Sequence, residues 1–395
     1  MLNISERQTP PDFALFDLGF RPFFLGAAMY AVLATLVWMG IYVFGWNIQL
    51  SALSVISWHA HEMIFGFSVA VVAGFLLTAT SNWTNSKTLH GMPLLFLFIL
   101  WVLARILPFV GGPVVIELTA IIDNLFILLL ILAISIPVIK AGLWQHLGIV
   151  LIPVLMLGSN LLFYAGVLGF LVKGVNQGLY AGLYLLVLLI FVMAGRVLPF
   201  FIEKGVGYPL QLKNWKWLDV SSLLVFFLFA LVEIFVADRF VSALLAGILF
   251  LLHGARMAGW YTHGIWRKPL LWVLYLAYGC MVFAFLLKLA VYVFGISPYL
   301  AIHAFAFGGI GLITIGMMSR ISLGHTGRNV LQPPRALFWA FLILALGMLF
   351  RVILPLLLQT HYALWIALAM ACWIIAFAMF FYIYLPILLR PEINK

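Results

Sequence analysis

Residues 56–80 read ISWHAHEMIFGFSVAVVAGFLLTAT, and only the Trp58–Glu62 end of the run carries ionisable side chains. About 20 apolar residues cross the ~30 Å hydrocarbon layer of a bilayer as one helix. An ionisable group on such a span costs roughly 3 kcal/mol unless it is paired or bound to something. His59, His61 and Glu62 lie within four residues, so they demand partners. The stretch therefore reads as a membrane helix with chemistry at its mouth.

The rest of the chain repeats the membrane half of that reading. Hydrophobic residues make up 66% of 395 positions and charged residues 8%, far from the roughly half-apolar, quarter-charged mix of a soluble domain. Runs of spanning length fall at about 22–46, 56–80, 92–110, 115–139, 146–172, 178–201, 218–237, 240–262, 270–294, 299–321, 335–358 and 361–389. The expected fold is an all-α polytopic bundle of about 12 transmembrane helices. It forms one integral membrane domain, 1–395, with an N-terminal segment (1–20) and a short C-terminal tail (390–395). Residues 1–17 contain Glu6, Arg7, Asp12 and Asp17 and no short apolar core before a small-residue cleavage site, which is not the pattern of a secretory signal. Cys280 and Cys372 sit singly in apolar runs, which argues against a disulfide or thiolate framework.

The net charge of +10 invites a nucleic-acid reading, but the basic residues sort by membrane side instead. Counted over twelve spans, sixteen of the 21 Lys and Arg residues, from Arg7 and Arg21 to Arg390 and Lys395, fall on the side of the termini. Arg105, Lys173, Arg239, Lys288 and Arg351 fall on the other. By the positive-inside rule both termini are expected in the cytoplasm. No nucleic-acid partner follows; the partner is the lipid bilayer. Ser319–Arg328, a polar turn with two glycines, lacks the Gly-Lys-Ser/Thr ending of a phosphate-binding loop.

That topology puts His59, His61 and His303 at one membrane face, with Arg105 and Arg351 toward the same face. His253, Arg256 and Arg196 fall toward the other. An internal echo joins the first group. His61-Glu-Met-Ile-Phe65-Gly66 matches His303-Ala-Phe-Ala-Phe307-Gly308, and about 45 residues after each His comes Arg105-Ile-Leu-Pro108 or Arg351-Val-Ile-Leu-Pro355. A third Arg196-Val-Leu-Pro199 closes the sixth span. An internal repeat relating helices 2–3 to 10–11, within three groups of four, accounts for this pattern and places His61 and His303 equivalently.

Two His and one Glu in four residues, echoed by a third His, point to metal or haem ligation. Successive helical residues turn by 100°, so His59 and His61 diverge by about 200° and need different partners unless the chain there is irregular. Glu62 suits the role of orienting an imidazole through its second nitrogen. Imidazole ligates haem iron and also suits copper. Haem propionates call for cations, best met by Arg; Arg21, Arg105, Arg196, Arg320 and Arg351 are the candidates, with snorkelling to headgroups the simpler alternative for each. His253 is an alternative ligand, and His325 is either a ligand or a helix cap. Asp123, beside Asn124, is placed to pair with an Arg or to join a proton path.

Several separated stretches together resemble the NnrS family. They are Leu18–Phe24 (LGFRPFF), Trp58–Met63 (WHAHEM), Ala73–Ala79 (AGFLLTA) with Asn82-Trp83-Thr84, Gly195–Phe201 (GRVLPFF), Met318-Ser319-Arg320 and Leu323–Arg328 (LGHTGR). The resemblance spans nearly the whole chain. It implies a bacterial inner-membrane protein of the nitric oxide response, with twelve spans, bound haem (b-type) and copper, and a role against nitric oxide or nitrosative stress. The matching positions are Arg21, His59, His61, Glu62, Asn82, Arg196, His303, Arg320, His325 and Arg328. The expectation is that His61 and His303 ligate one haem, His59 and His325 are further metal ligands, and Glu62 and Asn82 support them. Nitric oxide is then ligand or substrate, and electrons come from the quinone pool or a redox protein. A transporter of copper, haem or a small anion, or a sensor or assembly factor without turnover, would use the same residues.

Overall fold

The computed structural model describes residues 13–50, 52–213 and 215–393. Arg7 and Lys395, and with them most of the N-terminal segment and the last of the tail, lie outside the described residues. Among the described residues, twelve helices are long and apolar enough to cross a membrane. They are α1 (Phe20–Phe44), α2 (Val55–Thr84), α3 (Met92–Phe109), α4 (Val114–Lys140), α5 (Trp144–Val167), α6 (Gly174–Gly205), α7 (Lys216–Val236), α8 (Arg239–Gly259), α9 (Pro269–Phe294), α10 (Pro298–Gly324), α11 (Ala336–Leu357) and α12 (Gln359–Leu389). There is no β-strand among the described residues. Lipid offers the backbone no hydrogen bonds, so the helix, which satisfies its own, is the form such runs take.

Each expected span is present, and the differences at the ends have local causes. α5 stops at Val167 although the sequence stays apolar to Val172, because Gly169 adopts φ +82°, which a helix cannot contain. α6 runs through Pro199 to Gly205; a proline inside a helix removes one hydrogen bond without ending it when neighbouring helices hold both sides. Ser54 and Asp238 cap their helices by accepting from the backbone N–H of Ser57 (3.1 Å) and Val241 (2.8 Å).

Twelve crossings return the chain to the side on which it started, and the two ends are tied together there. Ala14 N–H donates to the Leu389 carbonyl at 2.8 Å, and Arg21 Nη1 donates to the carbonyls of Leu388 (3.0 Å) and Arg390 (2.6 Å). The guanidinium thus sits on the negative end of α12.

Helices α2, α9 and α10 are the innermost, each with 78% of its central window buried. The even-numbered helices α2, α6 and α10 run in one direction and, with Phe24 of α1, border a partly open apolar pocket of about 90 Å³. The sequence echo has a structural counterpart in two of these helices. His61 precedes a π-helical stretch, Glu62–Ser68, and His303 precedes another, Ala304–Gly311. The third Arg-Val-Leu-Pro, in α6, has no such companion, since α6 is α-helical throughout.

Helices α5 and α6 pack backbone to backbone. A Cβ on Gly178 would stand 2.5 Å from Phe163 N and 2.6 Å from the Ser159 carbonyl oxygen. Because the obstacle is main chain, Gly178→Val is expected to force the helices apart and cost about 1–3 kcal/mol, read as a lower thermal unfolding midpoint in detergent. An unchanged midpoint would contradict the packing.

Candidate functional site

The π-helical turn after His61 decides where its neighbours point. Glu62 bonds His61, not His59: its Oε1 lies 3.0 Å from His61 Nδ1. Its Oε2 accepts from Arg105 Nη1 at 2.7 Å and from Tyr30. Arg105 Nη2 donates to Asp123, which also accepts from Tyr164 (3.2 Å) and Asn160 (3.1 Å). Asn160 Nδ2 is committed to Asp123 and Asn124, which turns its Oδ1 toward His61 Nε2 at 2.9 Å. Both His61 nitrogens therefore face oxygen atoms, and Arg105 bridges Glu62 and Asp123. All four side chains are buried, and Phe163 stacks on the His61 ring at 4.3 Å.

His59 points elsewhere, as the 200° divergence requires. Its ring lies flat on Trp38 at 4.4 Å and 8°, and its Nδ1 is buried without a hydrogen-bond partner. His303 is near enough to interact with it electrostatically. His303 Nδ1 donates to the Tyr299 carbonyl at 2.8 Å, leaving the Nε2 lone pair to accept from Arg351 Nη2 at 2.9 Å. Arg351 Nη1 makes no hydrogen bond, and no carboxylate pairs with this guanidinium among the described residues. Tyr362 is in hydrogen-bonding contact with this guanidinium, and Tyr42 lies near it.

The two imidazoles expected to share one iron make different hydrogen bonds in the structure. His61 belongs to the Glu62–Arg105–Asp123 network, with both nitrogens engaged. His303 belongs with His59 and Arg351. The echo is preserved in form, since an Arg from the following helix reaches each His region, but one Arg meets carboxylates and the other a neutral ring.

The remaining candidates lie apart from both clusters. His253 in α8 is fully buried, stacked on Phe191 at 3.9 Å, with Nδ1 bonded to Tyr278 (2.6 Å) and Nε2 unpartnered. Arg256, one turn on, pairs with Asp219 at 2.8 Å. His325 ends α10 against Phe20, 22 residues from His303 and hence about 33 Å away along the helix. Arg320 lies over the Phe201 ring at 3.7 Å, Arg196 is exposed on α6, and Arg21 holds α12. Asn82 is exposed, 21 residues or about 30 Å of helix beyond His61. No three His, Cys, Asp or Glu side chains converge as a metal site among the described residues. Trp38, Tyr30, Asn160 and Tyr164 complete the clusters and were not singled out by sequence. Only Asn160 carried a signal, as an amide deep in an otherwise apolar span.

The fold and these clusters define a multi-pass integral membrane protein with polar side chains buried between its helices. The NnrS protein family model matches residues 14–392, and the chain belongs to that family. Membership fits a membrane protein of the nitric oxide response. No curated protein matches the chain.

The two arginines make opposite predictions. Arg105→Met strands two buried carboxylates and is expected to cost about 3–5 kcal/mol. Arg351→Met removes a donor from a neutral imidazole and is expected to cost about 1–2 kcal/mol. Thermal unfolding of both variants in one detergent compares them; equal losses would sink the distinction.

Proposed function

We propose that this chain is an inner-membrane haem- and copper-binding protein that protects against nitric oxide or nitrosative stress. His59, His303 and Arg351 form the cofactor-binding end. One observation carries the reading. His303 donates through Nδ1 to a backbone carbonyl, the arrangement in which imidazoles ligate metals through Nε2, and its Nε2 lone pair faces a cation, Arg351, rather than an acceptor. Beside it stand the unpartnered His59 Nδ1 and the unpartnered Arg351 Nη1.

This donor set fits the group in kind. Imidazole nitrogens suit iron and copper, and a guanidinium with no acid of its own suits a propionate. When bound, such a cofactor supplies a site for nitric oxide and for one-electron chemistry. The chain supplies the rest. The Tyr299 carbonyl fixes the His303 tautomer, Trp38 holds the His59 plane, and Arg351, which hydrogen-bonds His303 Nε2 in this structure, would release that lone pair to the metal and turn to a propionate. His253, with Nδ1 held by Tyr278 and Nε2 free, is the alternative ligand. His61 serves stability rather than ligation. Electrons come from the quinone pool or a redox protein. The distribution of Lys and Arg supports a cytoplasmic location for both termini.

Protein purified after haem-replete expression is expected to show a Soret band and bound copper. His59→Ala and His303→Ala are expected to lower metal content or shift the band, whereas folded His61→Asn keeps the spectrum and loses thermal stability. A wild-type preparation with neither haem nor copper would overturn the proposal, and substrate flux in proteoliposomes without retained metal would favour a transporter. A fluorescent reporter fused after Lys395 is expected to be active only if the C-terminus is cytoplasmic.

A further inference from the structure

We propose that a shallow pocket on the side of the two termini, where α6 ends, α9 begins and α10 leads into α11, holds the phosphate headgroup of an anionic phospholipid. Gly205 of α6, Lys268 and Leu271 at the start of α9, Arg320 of α10, and Val330 and Leu331 beyond it line the pocket. Its two cations have no acid of their own. No carboxylate pairs with Arg320 or Lys268 among the described residues. The Arg320 guanidinium lies on the Phe201 ring at 3.7 Å. An aromatic face beneath a guanidinium fixes its plane and leaves its N–H edge for an oxyanion, which Arg meets with two parallel hydrogen bonds.

The surroundings make the anion preference regional. The three segments that join helices here, 206–215, 260–268 and 325–335, contain Lys213, Arg267, Lys268, Arg328 and Arg335 and not one Asp or Glu. Glu203, in the last turn of α6, is already committed to the Leu212 N–H at 2.8 Å. The pocket also faces the positive end of α9. A concave site lined by one sign of charge concentrates the opposite sign.

The walls then favour a lipid over a free phosphate. Leu270 and Leu271 form a buried apolar floor, and Leu331 stands 55% exposed at the rim. Gly205 lets the end of α6 close on that floor, since a Cβ there would stand 2.9 Å from Leu271 Cδ1. Trp266, two residues before Lys268 and 47% exposed, is of the type that sits at headgroup level. The pocket is open on one side, as a headgroup site must be when the acyl chains stay in the bilayer. Basic pockets between spans on the positive side of a membrane take anionic headgroups in this way. Arg320 lies 17 residues beyond His303, about 25 Å along the helix, so the site stands whether or not a cofactor is bound.

Native mass spectrometry of the full-length protein in detergent, titrated with dioleoylphosphatidylglycerol or dioleoylphosphatidylcholine, tests the assignment. The anionic lipid is expected to be retained and the zwitterionic one lost. Arg320→Gln and Lys268→Gln are each expected to weaken retention about tenfold, the weight of one charge-assisted hydrogen bond. Arg335→Gln, outside the pocket, is expected to change it less than about twofold. Lys268→Gln, between two helices, decides the matter if the Arg320 variant does not fold. Equal retention of the two lipids, equal losses in all three variants, or displacement of the lipid by inorganic phosphate overturns the proposal.

Discussion

Arg105 carries a full charge with its side chain almost wholly removed from solvent, and everything around it follows from the need to answer that charge. Hydrocarbon gives a guanidinium no hydration, so the cost of burial is offset only by partners in good geometry. Two carboxylates from different helices, Glu62 and Asp123, provide them. Each carboxylate in turn has spare acceptor positions, which Tyr30, His61, Asn160 and Tyr164 fill. The result is a polar lock joining α1 through α5. Its members are costly singly and stable only together, which is the behaviour of a buried network.

The same constraint is met differently on the other half of the molecule. Ala304 stands where Glu62 stands in the echo, so the second Arg has no carboxylate to meet. Arg351 instead donates to His303 and keeps one amino group unpartnered. One copy of the motif is closed on itself, and the other keeps a guanidinium nitrogen without a hydrogen-bond partner.

Buried ionic groups elsewhere are used as fasteners. Glu233 joins α7 to Lys288 of α9, Tyr184 of α6 and Ser242 of α8. Arg256 and Asp219 do the same between α8 and α7. Helices α6 to α9 are thereby pinned to one another, and the facing sides of α2, α6 and α10 are apolar along their shared pocket.

The sequence by itself determined the membrane fold, because length and apolarity of a run suffice when the backbone has no alternative to the helix. Twelve spans, their order and the grouping of both termini on one side all follow from that. It also determined that His59 and His61 face different partners, since 100° per residue leaves no other choice in a regular helix. It did not determine which partners. The π-helical turn at Glu62 hands that carboxylate to His61, and Asn160, 99 positions away, takes the other nitrogen. The pairing of His303 with Arg351 and His59, rather than with His61, and the distance of His325 and Asn82 from either cluster were likewise settled only in three dimensions. Side-chain direction depends on local helix register and on contacts between spans remote in sequence, and neither leaves a mark in composition or spacing.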